Sequence, residues 1–357
     1  MNRRTPRPAA IVAAALAALV PVACSDDPDS GPAALTLVTY SSFPAEGTSL
    51  NDALASFTAD TGIAVSIVQA GDAGTMVGKA VLAAGNPEGD VMFGVDNTLL
   101  SRVLEAEVFA PYESPALSAI DPTLTELVPD HELTPVDFGD VCVNFDIGWF
   151  AENDLEPPTT LDDLADPRYR DLLTVENPAS SSPGLAFVLA TIAEFGEEGW
   201  LDYWQRLVDN GVEVVDSWNS AYDERFSGSS GAGPRPLVVS YASSPPAEVI
   251  FADPPRTDAP TAVMDASCFR QVEFAGVLRG TDHEDEARRL VDFLAGSTFQ
   301  QEVALNLFVW PARTDVALPV EFTEFAAVVA DPLSVSPTDI ATNRDRWVDE
   351  WTELVLR

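Results

Sequence analysis

From residue 35 to residue 100 the chain alternates short β-prone runs with helical patterns, and this alternation constrains the fold more than any other feature. The run Leu35-Thr36-Leu37-Val38-Thr39-Tyr40 is followed by a helix that begins at Thr48-Ser49, sets Leu50, Leu54 and Phe57 on one face and stops at Gly62. Ile63 to Val68 reads as the next strand. Gly74 and Thr75 open a second helix through Val77, Val81 and Leu82, closed by Gly85 and Pro87. The strand Val91-Met92-Phe93 and a third helix after Asp96-Asn97 complete the series. Strand and helix in turn, with short connections, predict a parallel sheet covered on both faces, so the fold class is α/β.

Further along, the alternation is looser. Asp140 to Phe145 is β-like, Thr160 to Leu164 a short helix, Leu172 to Val175 a strand, and Ser180 to Gly184 introduces a helix through Phe187, Leu189 and Ile192. Ser227 to Pro236 reads as a mobile Gly/Ser/Pro surface turn ahead of the strand Leu237 to Tyr241. Gln271 to Leu278 is a strand, and Asp285 to Leu294 a helix with Ala287, Leu290, Val291 and Leu294 at helical spacing. Pro337 to Val355 is a terminal helix whose Trp347 and Trp351, four apart, suit packing in a core or between domains.

The 57 Asp and Glu residues against 19 Lys and Arg give a formal charge of −38, which excludes most nucleic-acid binders, since these need a cationic footprint. A hydrophobic content of 46% over 357 residues excludes a disordered acidic tail and allows one large or two ordinary domains. Arg3, Arg4 and Arg7 precede an apolar run from Ala9 to Val20, too short to be the span of roughly 20 residues that a membrane helix needs. Residues 1–23 therefore read as a secretory signal. Cys24, directly before the polar leader Ser25-Asp26-Asp27-Pro28, resembles the lipid-bearing cysteine of a bacterial lipoprotein, although Pro21 departs from the aliphatic residue usual there. Simple secretion with a free Cys24 is the alternative. Losing three Arg and no acid with the signal takes the charge from −38 to −41. Cys142 and Cys268 then remain. In an oxidising compartment such a pair is most simply a disulfide, two unrelated buried thiols being the other reading.

Catalytic constellations are thin. The two histidines, His131 and His283, sit beside acids in exposed-looking segments, and no G-x-S-x-G elbow accompanies them. No His or Cys cluster suggests a metal, and no Tyr-Tyr pair suggests the anionic iron site of ferric-binding proteins. Gly74 to Ala80 lacks one spacer and the Mg²⁺-binding hydroxyl of a phosphate loop. Aromatic and small polar residues gather instead at strand and helix ends, where open α/β sheets collect ligands.

Five segments form a recognisable set: Val38-Thr39-Tyr40-Ser41-Ser42-Phe43, Asp90 to Leu100, Ser180 to Gly184, Trp218-Asn219-Ser220-Ala221-Tyr222, and Ser240-Tyr241-Ala242-Ser243-Ser244-Pro245. In order and spacing, across roughly residues 35 to 355, they resemble the thiamine branch of the type II periplasmic-binding-protein family, the substrate-binding components of ABC importers. The resemblance implies two lobes joined by two crossing strands, with the ligand cleft between them. Lobe 1 would comprise residues 35–140 plus 270–357 and lobe 2 residues 141–269, after a leader at 24–34. Cys142 and Cys268 would fall at the two crossings, which are neighbours in such proteins. A bond there would tie the hinge while leaving lobe closure possible.

The same resemblance places the thiamine contacts on Asp72, Ala73, Ser181, Ser182, Trp218, Tyr241, Ala242, Ser243 and Ser244, with Tyr40, Asp96, Tyr222, Phe308 and Trp310 as looser members. The residue types suit the ligand. A fixed thiazolium cation and a flat aminopyrimidine want π-faces, a carboxylate and hydroxyl partners. Each position also has a plainer reading: Asp72, Asp96, Ser181 and Ser182 as helix caps, Trp218 and Tyr241 as core aromatics. Phe308 stands where the family has Trp, and Ala247 where it has Tyr, which thins the aromatic cage and admits thiamine phosphates or the pyrimidine precursor. The expectation is an exported, lipid-anchored monomer on the extracytoplasmic face, serving an ABC permease and its ATPase, with no cofactor, metal or chemistry of its own. A polyamine receptor of the same fold and an exported carboxylate-dependent hydrolase are the rival readings.

Overall fold

The computed structural model describes residues 34–357. The expected signal sequence and Cys24 lie outside the described residues. Among the described residues ten strands form one sheet: β1 (Ala34–Thr39), β2 (Ala64–Gln69), β3 (Val91–Asp96), β4 (Phe109–Ala110), β5 (Thr134–Asp146), β6 (Leu173–Glu176), β7 (Glu213–Val215), β8 (Leu237–Tyr241), β9 (Thr261–Leu278) and β10 (Trp310–Pro311). Their order is β2-β1-β3-β9-β5-β8-β6-β7, with β10 added to β5 and β4 to β9.

The expected parallel sheet is present only at the two ends. β1 pairs parallel with β2 and β3, and β6 with β7 and β8. Between them β5 and β9 pair antiparallel with each other and with β8 and β3, so the sheet as a whole is mixed. Strand and helix alternation reports only local crossovers; the antiparallel partners come from more than ninety residues away. β5 and β9 are also longer than the segments read from sequence, at 13 and 18 residues, because polar residues such as Asp137 in β5 and Asp265 and Arg270 in β9 continue both strands. Their ladder runs from Thr134↔Ala275 to Asp146↔Thr261 with register shifts between Pro135 and Asp137 and between Val141 and Val143. The Cys142–Cys268 disulfide clasps the two strands at the second shift.

Helices cover both ends as their apolar spacing predicts. The Ser49–Thr61 helix buries Leu50, Ala53, Leu54 and Phe57; Asn51 accepts the Thr48 N–H at its start, and Gly62 ends it at φ 73°. It packs in one apolar cluster with Leu37, Phe93, Leu290 and Phe299. The Ser182–Asp209 run is two helices joined across a break at Gly196. Trp204 on it meets Trp351 of the Pro337–Val355 helix edge to face at 5.3 Å, and Trp347 Nε1 donates to Glu197 at 2.8 Å. The tryptophan pair is therefore buried packing, as its spacing implies. Ser227 to Pro236 is tied down rather than free: Ser227 N–H bonds Arg235 O, Gly233 N–H bonds Phe226 O, and the buried Ser229 hydroxyl donates to Tyr222 O. No described helix is long and apolar enough to cross a membrane.

Candidate functional site

Loops at strand and helix ends converge on a cavity over the middle of the sheet. Asp72, Ala73, Ser182, Trp218, Tyr241 and Ser244 all line it, as do the looser candidates Tyr40, Tyr222 and Phe308.

Local sequence explains how these residues meet. Asp72 caps the Ala73–Leu82 helix, its Oδ1 accepting the Ala73 N–H at 2.8 Å, while its Oδ2 accepts the Trp218 N–H at 3.0 Å. Asp72 is thus a helix cap that also lines the cavity. A Cβ on Gly74 would lie 2.7 Å from Ser180 O, so a glycine is what lets this helix start touch the loop before Ser182; Thr75 N–H bonds the same carbonyl at 3.3 Å. The glycine serves close packing, in place of the phosphate cradle its neighbours superficially suggest. Gly94, at φ 101° in a bulge of β3, has a comparable role: a Cβ there would overlap the ring of Tyr40.

The aromatic wall is rigidly held. Trp218 and Tyr222 stack at 5.0 Å and 12°, Trp218 Nε1 donates to Ser240 Oγ at 3.0 Å, and Tyr222 OH donates to Glu248 at 3.1 Å. Tyr222 belongs to a π-helical turn, Ser220–Arg225. Tyr241 OH donates to Gln271 Oε1 at 2.9 Å, and Tyr40 packs on Phe43 and Phe93. Burial raises the phenols of Tyr40, Tyr222 and Tyr241 well above their ordinary range, so they stay neutral faces and donors. Burial also raises the Asp72 carboxyl, opposed by the hydrogen bonds from Trp218 and Ala73.

Five expected residues stand back from the wall. Ser181 is fully buried at the start of the Ser182–Asp209 helix, with a hydroxyl that has no hydrogen-bond partner. Ala242 and Ser243 are buried behind Tyr241, where Ser243 Oγ donates to Phe308 O at 2.6 Å and so positions the neighbouring wall. Asp96 is not the helix cap of its plainer reading either: it ends β3, the Leu100–Glu105 helix is capped at Leu99 without a side-chain bond, and Asp96 Oδ1 accepts the Thr98 N–H at 2.7 Å in a local turn. Trp310 turns away, stacking on Phe138 and meeting Phe322 edge to face at 4.6 Å. Phe308, held at φ 54°, reaches the cavity instead. Residues that sequence reasoning missed include Ser42, Pro183, Asn306, Leu307, Val309 and above all Glu273, a carboxylate only 6% exposed. Ala247 also lines the cavity.

Chemically the site offers flat faces, hydroxyls and unpaired carboxylates, a combination for holding a cation with ring character. Neither histidine lines it, and among the described residues no group of His, Cys, Asp and Glu could hold a metal ion.

Comparison with known proteins agrees with this architecture. The thiamine-binding periplasmic proteins of Salmonella typhimurium and Escherichia coli are 27% and 26% identical over 331 and 328 residues, each match covering 90% of this chain and 94% of the relative. The solved structure of a periplasmic thiamin binding protein superposes with a TM-score of 0.77 at 25% identity, covering 91% of this chain and 96% of that one. The two ends of the sheet, spanned by β5 and β9, thus form the two-lobed periplasmic-binding-protein fold. The family described as bacterial extracellular solute-binding protein matches residues 87–329, and this chain belongs to that family.

Proposed function

We propose that this protein is the extracytoplasmic receptor of an ABC importer and that it binds thiamine or a thiamine phosphate. One observation carries the reading: the Asp72 carboxylate and the faces of Trp218, Tyr222, Tyr241 and Tyr40 line a single cavity. The thiazolium supplies the cation for the carboxylate and the π-faces, and the aminopyrimidine supplies a flat ring with donors and acceptors. Ser182, at the start of a long helix, would receive the hydroxyethyl arm or a phosphate. The relatives' names support the same ligand.

In this reading lobe 1 takes residues 35–140 plus 270–357 and lobe 2 residues 141–269. Those boundaries cut β5 and β9 beside Cys142 and Cys268, which makes the disulfide a clasp on the hinge. Lobe closure on one ligand excludes water and strengthens the charge contacts, and the closed form is what the permease reads. The protein does no chemistry, acts as a monomer, and is exported by residues 1–23 and held at the membrane through Cys24. A polyamine would use the carboxylates but leave the stacked Trp218–Tyr222 pair without a ring to receive, which favours the vitamin. The test is a mass spectrum of small molecules released when the purified protein is denatured. Thiamine or a phosphate of it is expected; another solute in stoichiometric amount would overturn the assignment.

A further inference from the structure

Three carboxylates stand in a row across the sheet beneath the cavity. Asp96 on β3 pairs in register with Glu273 on β9, and Glu273 with Asp137 on β5. Register partners project from the same face of adjacent strands about 5 Å apart. Asp96 and Asp137 are fully buried, and of the three only Glu273 reaches the cavity wall. Asp96 Oδ2, both Asp137 oxygens and Glu273 Oε2 have no hydrogen-bond partner.

The groups that face the row are themselves mostly acidic or neutral. Tyr40 from the end of β1 and Tyr241 from β8 lie against Glu273 and Asp137, and Asp72 approaches from the Ala73–Leu82 helix, with buried Glu176 behind it. Arg344 of the terminal helix is the cation acting on Asp96. Burial without a counter-charge is costly, so burial pushes Asp137 up to about 8, and burial together with the Asp137 and Asp96 charges pushes Glu273 well above the usual carboxylate range. Buried side by side without a counter-charge, Glu273 and Asp137 favour keeping a proton between them.

We propose that Glu273 selects the ligand's charge and that a cation settling beside it displaces a proton from the Glu273–Asp137 pair to solvent, so that loading and proton release are one event. The proposal rests on the reading of this cavity as a thiamine site and names the group that would recognise the thiazolium charge together with Asp72.

The experiment has two arms. Calorimetric titration of the purified protein with thiamine near pH 7, in buffers of different ionisation enthalpy, should show up to about one proton released per ligand. Glu273→Gln should abolish that release and weaken binding by about tenfold or more, with its melting temperature measured to show that it folds. Thiamine binding whose heat is the same in every buffer, and whose affinity survives Glu273→Gln, would overturn the proposal. Without any ligand, infrared difference spectra at neutral pH should show a protonated-carboxyl stretch that Asp137→Asn removes. Its absence would overturn the proposal whatever the ligand. Its presence in a protein that binds no thiamine would support the protonated pair and place the failure in the thiamine reading.

Discussion

The Trp218 N–H donates to Asp72 Oδ2 at 3.0 Å, joining two residues 146 positions apart. The other oxygen of the same carboxylate caps the Ala73–Leu82 helix. One side chain therefore fixes the helix start, supplies negative charge to the cavity and ties two of its edges together. With the proposed lobe boundaries this bond crosses the cleft, as do Thr75 N–H to Ser180 O and Ser243 Oγ to Phe308 O. In that reading the arrangement is that of a closed receptor.

Asp72→Ala should weaken thiamine binding by about 10- to 100-fold, since a hydrogen bond to a charged group contributes about 1.5–3 kcal/mol. Asp72→Asn, which keeps an acceptor but not the charge, should fall between. Calorimetry reads the affinities, and small-angle scattering should show Asp72→Ala more open with ligand than the parent. Equal affinity and equal dimensions in both variants would remove Asp72 from the site.

Trp218→Ala removes one face of the stacked pair and the bond to Ser240. A loss of about 2 kcal/mol, roughly thirtyfold in Kd, is expected for a desolvated cation–π contact, with Trp218→Phe losing less. Full affinity in Trp218→Ala would point to a ligand without a ring, such as a polyamine.

The buried carboxyls also set the pH dependence of stability. Asp137 and Glu273 have folded-state values above the ordinary carboxylate range, so the folded protein binds more protons than the unfolded chain between about pH 4 and the folded value, about 8 for Asp137. Stability from these groups is complete at the acid end of that window and is lost as pH rises through it. Thermal melts of the ligand-free protein should show Tm falling across the window, and Asp137→Asn should flatten the fall. A parent and variant with parallel profiles would contradict the assignment.

The Cys142–Cys268 bond closes a loop across 126 positions, for which the chain-entropy model gives about 4–5 kcal/mol. The double Cys→Ser variant should melt clearly lower than the parent. Neither cysteine lines the cavity, so thiamine affinity should change by no more than about threefold. A larger loss would mean that the clasp shapes the cleft as well as the hinge.

Much of this was legible from spacing. Leu50, Leu54 and Phe57, the 237–241 strand and the Pro337–Val355 helix lie where their apolar patterns put them. The resemblance set brought Asp72, Ser182, Trp218, Tyr241 and Ser244 to one cavity. The central segments Asp140 to Phe145 and Gln271 to Leu278 were legible as strands, but their antiparallel pairing was not, because it joins residues more than a hundred positions apart. Glu273 was hidden for the same reason: a carboxylate in a strand ordinarily marks the solvent face, and its burial follows from pairing with β5 and β3, which is a tertiary fact. Phe308 and Trp310 have equal claims in sequence. Only the backbone turn at Phe308 decides which of them meets the cavity.

The central claim is that this cavity holds thiamine. Titrating ligand-free protein with thiamine while following tryptophan fluorescence tests it most directly, since Trp218 is in the wall. Saturable quenching at micromolar thiamine, with one site per chain and lost in Trp218→Ala, is the predicted result. No change in fluorescence and no heat of binding at that concentration would contradict it.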